Sequence, residues 1–362
     1  MAKLSAVANT FTPSPIQQLS LLAQQSNAIN LAEGFPDFPA PAHLKNAAVS
    51  AINSDFNQYR HVQGICDDVG RMMKQMHGLD VDPLTDIAIC CGQTEAFAAA
   101  IFAVIDPGDE VVLFDPSYET YESCIRLARG IPVFVALDPP YWTLDANRFM
   151  NSFTSRTKAV ILNRCTSMSH MTMQNIFLLH HFRECKSGLS SLHPYQKLLV
   201  SQVCPRWRVG WAIGPALFAS AIRNIHVKVT DSAPAPFQEA ALTALKSPPE
   251  YYDSLRRDYE SKRDCIMNLL AGIGFEIKFK PQGSFFLFVE LPEASPLSDM
   301  EFVEKLIKEA GVVAVPGCGF FHPNSSMKAD CQYQKRYIRF AFCKSDATLA
   351  AAAKNLGRLQ FL

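Results

Sequence analysis

The chain has no excess of either charge. Thirty-four Lys and Arg stand against 34 Asp and Glu, a formal net charge of zero. That excludes the basic footprint of a nucleic-acid binder or of a protein held on anionic lipid. No apolar run is long enough to span a bilayer. The opening residues Met1-Ala2-Lys3-Leu4-Ser5 form neither a secretory core nor an Arg-rich transit peptide, so a cytoplasmic protein with no membrane partner is expected. The 11 cysteines include the adjacent Cys90 and Cys91 but no C-x-x-C spacing, which favours reduced thiols over a disulfide framework. What remains is an ordinary globular composition, 48% hydrophobic and 19% charged over 362 residues. That length suits two domains, or one large domain with a smaller one attached.

Residues 27–41, rich in Gly, Pro and Asp, read as a shaped loop. Residues 42–53 place Leu44, Ala47, Ala48, Ala51 and Ile52 at helical spacing. Residues 86–91 are a short apolar strand running into Gly92-Gln93-Thr94 and then a helix over 95–105. A strand, a glycine turn and a helix N-terminus make an anion site, because first-turn amides point outward and the helix dipole favours negative charge. Alone the signal is weak, since many crossovers look alike. Residues 110–114 form a continuous apolar strand, as expected for one covered on both faces. Ligands gather at the C-terminal ends of such strands, so Tyr118 in Asp115-Pro116-Ser117-Tyr118 is placed to stack on a flat ring. Further strands at 132–136 and 158–163 give the alternation of a doubly wound, mainly parallel α/β sheet.

Helices are expected at 218–228, 237–245 and 251–273. A smaller α+β unit follows, with strands at 275–279, 284–290, 312–316 and 336–343 and a helix at 299–310. In the last strand Ile338, Phe340 and Phe342 share one face and Arg339 takes the other. A lone strand arginine is usually an edge residue or an ion-pair member, but its fork also suits bidentate capture of a carboxylate. Likewise Gly34 can be a mere turn glycine and Tyr59 a half-buried packing residue.

Taken together and in order, Gly34-Phe35-Pro36-Asp37-Phe38, Asn57-Gln58-Tyr59, Gly92-Gln93-Thr94, Trp207-Arg208-Val209-Gly210-Trp211, Pro281-Gln282-Gly283-Ser284 and Ile338-Arg339-Phe340 resemble a known family. It is the class-I, fold-type-I pyridoxal-phosphate aminotransferases, nearest to the kynurenine–oxoglutarate, glutamine transaminase K and cysteine-S-conjugate β-lyase group. The resemblance covers residues 6–163 and 207–359. It implies a large doubly wound domain over 36–250, a small α+β domain over 251–362 and an N-terminal arm, 1–35, joining the small domain. It implies pyridoxal 5'-phosphate as cofactor and a homodimer. The activity implied moves an amino group from a kynurenine-, aromatic, glutamine- or methionine-like L-amino acid to a 2-oxo acid. On these positions Gln93 and Thr94 would offer amides to the cofactor phosphate, Arg208 would pair with it, and Tyr118 would stack on the ring. Gly34 and Tyr59 would lie near the substrate, Tyr59 reaching across from the partner subunit, and Arg339 would hold the carboxylate.

One stretch departs from the family. Between Asn163 and Trp207 the family carries an Asn-Pro-Thr-Gly run, an Asp-Glu-Val-Tyr-like run and a Ser-x-Ser-Lys-Thr-Phe-like run with the Schiff-base lysine, and none is present. No catalytic lysine can therefore be assigned. Residues 164–206 are instead shorter than the family interval and crowded with His, Met and Cys. Read from the third base of each codon, 188–202 can encode Thr-Val-Ile-Thr-Ser-Ser-Leu-Ser-Lys-Thr-Phe-Ser-Val-Thr-Gly, which is the missing lysine run. This points to a skipped or mis-joined exon with a displaced reading frame, and a coding sequence using other bases there would sink the idea. The alternative is a chain that lacks the lysine and at most binds the cofactor weakly or dimerises. His180, His181 and Cys185 have no fourth ligand or metal-site spacing, so no metal is expected. Lys186 and Lys197 could replace the lysine only by chance placement.

Overall fold

The computed structural model describes residues 3–5, 8–10, 15–59, 61–163, 176–180, 197–204, 207–322 and 331–359. Near the N-terminus α1 (Pro15–Gln25) and the short β1 (Ile29–Asn30) lead to α2 (Ala42–Asn53). In α2 the buried residues are Leu44, Ala48 and Ala51, as its helical spacing requires. Next, α3 (Gln63–His77) stops at Gly78, whose φ of 66° supplies the left-handed cap that ends a helix.

Strands and helices then alternate: β2 (Ile87–Cys90), α4 (Gln93–Val104), β3 (Glu110–Asp115), α5 (Glu119–Leu127), β4 (Ile131–Ala136), α6 (Ala146–Asn151) and β5 (Thr157–Asn163). After them come β6 (Ile176–His180), β7 (Lys197–Cys204) and β8 (Val209–Ile213). These strands join in one seven-stranded sheet, ordered β2-β8-β7-β6-β5-β3-β4. Its core lies on α4: Phe97, Ala100 and Ile101 pack with Leu113, Ile125, Ile161 and Ala212. Each large apolar side chain so enclosed contributes about 1.5–3 kcal/mol.

Five of the seven strands point the same way, in keeping with the expected doubly wound sheet. The parallel ladders are β3–β4 and β3–β5. β8 and β6 run the other way, so β5–β6, β6–β7, β7–β8 and β8–β2 are antiparallel. Of these two reversed strands, β6 falls in the segment that the sequence marks as foreign. A parallel neighbour needs a full crossover, usually a helix.

Three helices follow, α7 (Ala216–Val229), α8 (Ala235–Leu245) and α9 (Pro249–Gly272). The remainder holds β9 (Phe286–Glu290), α10 (Asp299–Lys305), β10 (Val312–Val313), β11 (Val315–Pro316), β12 (Tyr337–Ala341) and α11 (Asp346–Leu356). The expected strand at 312–316 is split: β10 pairs in parallel with β1, while β11 pairs with β12 and β12 with β9. Leu31, just past β1, is fully buried in the core that Ile266, Phe302, Ile338 and Phe340 build. The expected strand at 275–279 does not form. Phe275 and Lys278 keep the alternation, Phe275 packing on Phe302 and Lys278 reaching Glu290, but the backbone has no ladder partner there. Among the described residues no helix is long and apolar enough to cross a membrane.

Candidate active site

The C-terminal end of β2 turns at Gly92, the N-cap of α4, with φ 82° and ψ 170°. That conformation is open to glycine and strained for any side chain. The Gly92 amide bonds the Cys90 carbonyl at 2.8 Å and the Gly92 carbonyl receives the Ala96 amide at 3.1 Å. The turn thus aims the first helical turn, Gln93, Thr94 and Glu95, at the sheet edge. Gln93 is buried and Thr94 exposed.

Arg208 reaches this turn from the opposite chain direction. It precedes β8, whose Gly210 pairs with Cys90, and its own φ of 56° bends the backbone so that the side chain meets Gly92. A Cβ on Gly92 would stand 3.2 Å from Arg208 Cζ and Nη1. Helix amides, a helix dipole and an exposed guanidinium therefore converge on one spot, which suits a phosphate.

Arg339 forms a second anion-binding point. It sits on β12, 9% exposed, with Nη2 donating to the Ala32 carbonyl at 2.9 Å. Its guanidinium lies 4.0 Å from the Phe286 ring centre and 4.8 Å from that of Phe320. Among the described residues, buried Nε has no hydrogen-bond partner. Burial pushes its pKa down to about 10, which still leaves it charged at neutral pH. A buried cation with an unused donor is costly on its own and is satisfied by an incoming carboxylate. The loop bearing Gly34 passes close by, and a side chain there would collide with the rings of Phe285 and Phe286.

The β3–α5 loop is tied to the side of the site that bears Arg339. The Ser117 amide donates to the Phe320 carbonyl at 2.9 Å and the His322 amide to Asp115 Oδ1 at 3.0 Å. Tyr118, the N-cap of α5, is 40% exposed, stacks edge-on against Tyr121, and lies close enough to Arg339 to act on its charge. The sequence-predicted Gln93, Thr94 and Arg208 are thus brought together at one point, and Gly34, Tyr118 and Arg339 at the other. Tyr59 is not: it is 77% exposed, on the loop after α2.

Sequence reasoning missed Phe286 and Phe320, the rings on either side of Arg339. The run Ser284-Phe285-Phe286 was visible, but which of its rings faces Arg339 depends on the β9–β12 register, Phe288 opposite Arg339 and Phe286 opposite Ala341.

β7 ends at Cys204 and β8 begins at Val209, so the connection is Pro205-Arg206-Trp207-Arg208 and contains no lysine. Lys197 starts β7, at the end remote from Cys204 and the Gly92 turn. His181, Cys185 and Lys186 lie outside the described residues. The residues present therefore fit the phosphate and the carboxylate of a pyridoxal-phosphate site, and supply no covalent attachment in that connection.

The family model described as aminotransferase class I and II matches residues 26–174 and 201–356, leaving out most of the segment that the sequence marks as foreign. The chain is 33% identical to methionine aminotransferase of Escherichia coli, over 94% of this chain and 95% of that one. It is 26% identical to kynurenine–oxoglutarate transaminase of Dictyostelium discoideum, over 99% and 97%. A solved Escherichia coli structure identified with a methionine aminotransferase function superposes with a TM-score of 0.84 at 29% identity, covering 99% and 100% of the two chains. N-succinyldiaminopimelate aminotransferase from Mycobacterium tuberculosis gives 0.85 at 26%, covering 98% and 99%.

Proposed function

Because the chain belongs to the class I and II aminotransferases, fold type I and pyridoxal-phosphate-dependent, we propose that it takes the amino group of an L-amino acid of the methionine, glutamine, aromatic or kynurenine type and passes it to a 2-oxo acid. The observation that carries this reading is the presence of two anion points: Arg208 over the Gly92 turn, on the seven-stranded sheet, for the cofactor phosphate, and Arg339 with its open Nε, on the three-stranded sheet, for the substrate carboxylate. Relatives named for methionine and for kynurenine support the substrate class.

When bound, pyridoxal phosphate supplies the electron sink for bond breaking at the substrate Cα. The chain's residues do the placing. Gln93 and Thr94 direct amides, and Arg208 its fork, toward the phosphate. Tyr118 covers a ring face, and the glycine at 34 lets the substrate carboxylate approach Arg339. Phe286 and Phe320 exclude water around Arg339, which strengthens its hold on the carboxylate. The exposure of Tyr59 supports a homodimer in which it completes the partner's site. The β1–β10 pairing and the burial of Leu31 support an arm over 1–35 joined to a small domain over 251–362, with the large domain over 36–250. A cytoplasmic location completes the reading.

A second reading follows from the sequence alone. Without the family's Ser-x-Ser-Lys-Thr-Phe-like run, the chain would at most bind the cofactor weakly or dimerise, without transferring the amino group. The similarity to aminotransferases along nearly the whole chain supports the first reading. Incubating the chain with pyridoxal phosphate, methionine and a 2-oxo acid decides between them. New amino acid formed from the oxo acid supports transfer; saturable cofactor binding with none formed supports the second. No binding of cofactor at all would overturn the first.

A further inference from the structure

Behind the Gly92 turn lies a buried polar cluster that the reading above does not use. Glu95, in the first turn of α4, has its side chain 10% exposed, and His226 on α7 has its side chain 8% exposed. His226 Nδ1 is 3.0 Å from Glu95 Oε2 and 2.8 Å from Thr230 Oγ1. The same Glu95 oxygen accepts the amide of Cys91 at 2.9 Å. Among the described residues, buried Glu95 Oε1 has no hydrogen-bond partner. Thr230 also bonds the Cys91 thiol, whose sulfur reaches the Ser232 carbonyl at 3.5 Å. Every one of these bonds ends on Cys91, the residue before Gly92, or on a group that holds its partner.

An apolar filling of this space would be the more stable choice, because a buried carboxylate with an unsatisfied oxygen is expensive. The carboxylate also stands in the helix turn that receives the phosphate, where a second negative charge is unfavourable. Metal binding is not what the cluster is arranged for. Cys90, Glu95 and His226 offer one ligand atom each within 4.8 Å of one another, yet the histidine nitrogen is already bonded to Glu95. The Cys90 thiol, pushed well up by burial and by Glu95, resists becoming a thiolate.

We propose that Glu95 and His226 are positioning residues for the cofactor phosphate: His226 orients the carboxylate, the carboxylate fixes the Cys91 amide, and the fixed amide holds Gly92 where its turn and Arg208 frame the phosphate. The proposal rests on the reading of that turn as the phosphate site.

The test is binding of pyridoxal 5'-phosphate and of unphosphorylated pyridoxal to the full chain, followed by tryptophan fluorescence. Glu95→Leu weakens the phosphate ester tenfold or more and changes pyridoxal less than twofold. Glu95→Gln, which keeps an acceptor for the Cys91 amide, restores most of the affinity, and His226→Gln lies between. Inorganic phosphate, titrated on the same variants as competitor, follows the phosphate ester. Equal loss for both ligands, or unchanged binding in Glu95→Leu, overturns the proposal. Should Glu95→Leu not fold, the comparison of Glu95→Gln with His226→Gln decides alone: His226→Gln binding the phosphate ester as the parent does overturns it. A parent chain that binds pyridoxal and its phosphate equally defeats the underlying phosphate-site reading instead.

Discussion

Arg208 closes over Gly92, its guanidinium 3.2 Å from where a β-carbon would stand, and both residues hold positive φ to do so, 56° and 82°. One conformation that only glycine takes without strain and one strained arginine meet at one anion point. Gly92→Ala should therefore cost about 1–3 kcal/mol of stability from the strained φ alone. It should also push Arg208 aside and weaken pyridoxal phosphate binding. Denaturant unfolding and a cofactor titration check both, and an alanine variant that binds cofactor as tightly as the parent would show that the turn is not the phosphate site.

Arg339 separates function from stability. Its Nε is unpaired among the described residues, and its burial costs free energy in the unliganded chain. Arg339→Leu loses the Ala32 bond and the cation contacts with the Phe286 and Phe320 rings but also removes a buried charge, and should leave the unfolding free energy within about 1 kcal/mol. Binding of a 2-oxo acid should fall about ten- to hundredfold, the worth of charge-assisted hydrogen bonds of roughly 1.5–3 kcal/mol. A large stability loss with unchanged carboxylate binding would make Arg339 a structural residue.

The N-terminal loop carries a pH-dependent clasp. Although burial opposes it, the Thr348 hydroxyl at 2.6 Å and the Ser345 amide hold the Asp37 carboxyl below its ordinary 3.8. A carboxyl with a depressed folded-state pKa contributes stability above 3.8 and loses it as pH falls through the lower folded value. Asp37→Asn should thus be less stable than the parent near neutral pH, with the gap closing at pH below about 4. The effect is small, because Asp37 is exposed. A gap independent of pH would mean that the charge plays no part.

Much of this fold is legible because burial and periodicity agree. The apolar run of β3 and the helical spacing of α2 and α7 come out where the pattern puts them. The strand at 275–279 misleads because alternation reports a half-buried backbone and not a ladder partner. Arg208 and Gly92 could be named separately, but their meeting depends on the antiparallel β2–β8 register, which pairs Cys90 with Gly210. Glu95 and His226 were invisible for the same reason: each is an ordinary polar helix residue until α4 and α7 bring them together. Legibility ends at the β5–β8 interval, where the motifs that fix the family's central strands are missing.

The strand geometry makes a last prediction about lysine. β7 runs from Lys197 to Cys204, and Gln202 pairs with Gly210, which in turn pairs with Cys90 beside the Gly92 turn. The Cys204 end therefore lies level with the phosphate point. Seven steps at about 3.3 Å put the Lys197 backbone roughly 23 Å away, beyond the reach of one side chain. Borohydride reduction in the presence of pyridoxal phosphate should leave the Lys197 peptide at its unmodified mass, and Lys197→Ala should bind the cofactor within twofold of the parent. A pyridoxyl group on Lys197 would mean that β7 does not run in this direction, and the antiparallel placing of β6 beside it would fall with it.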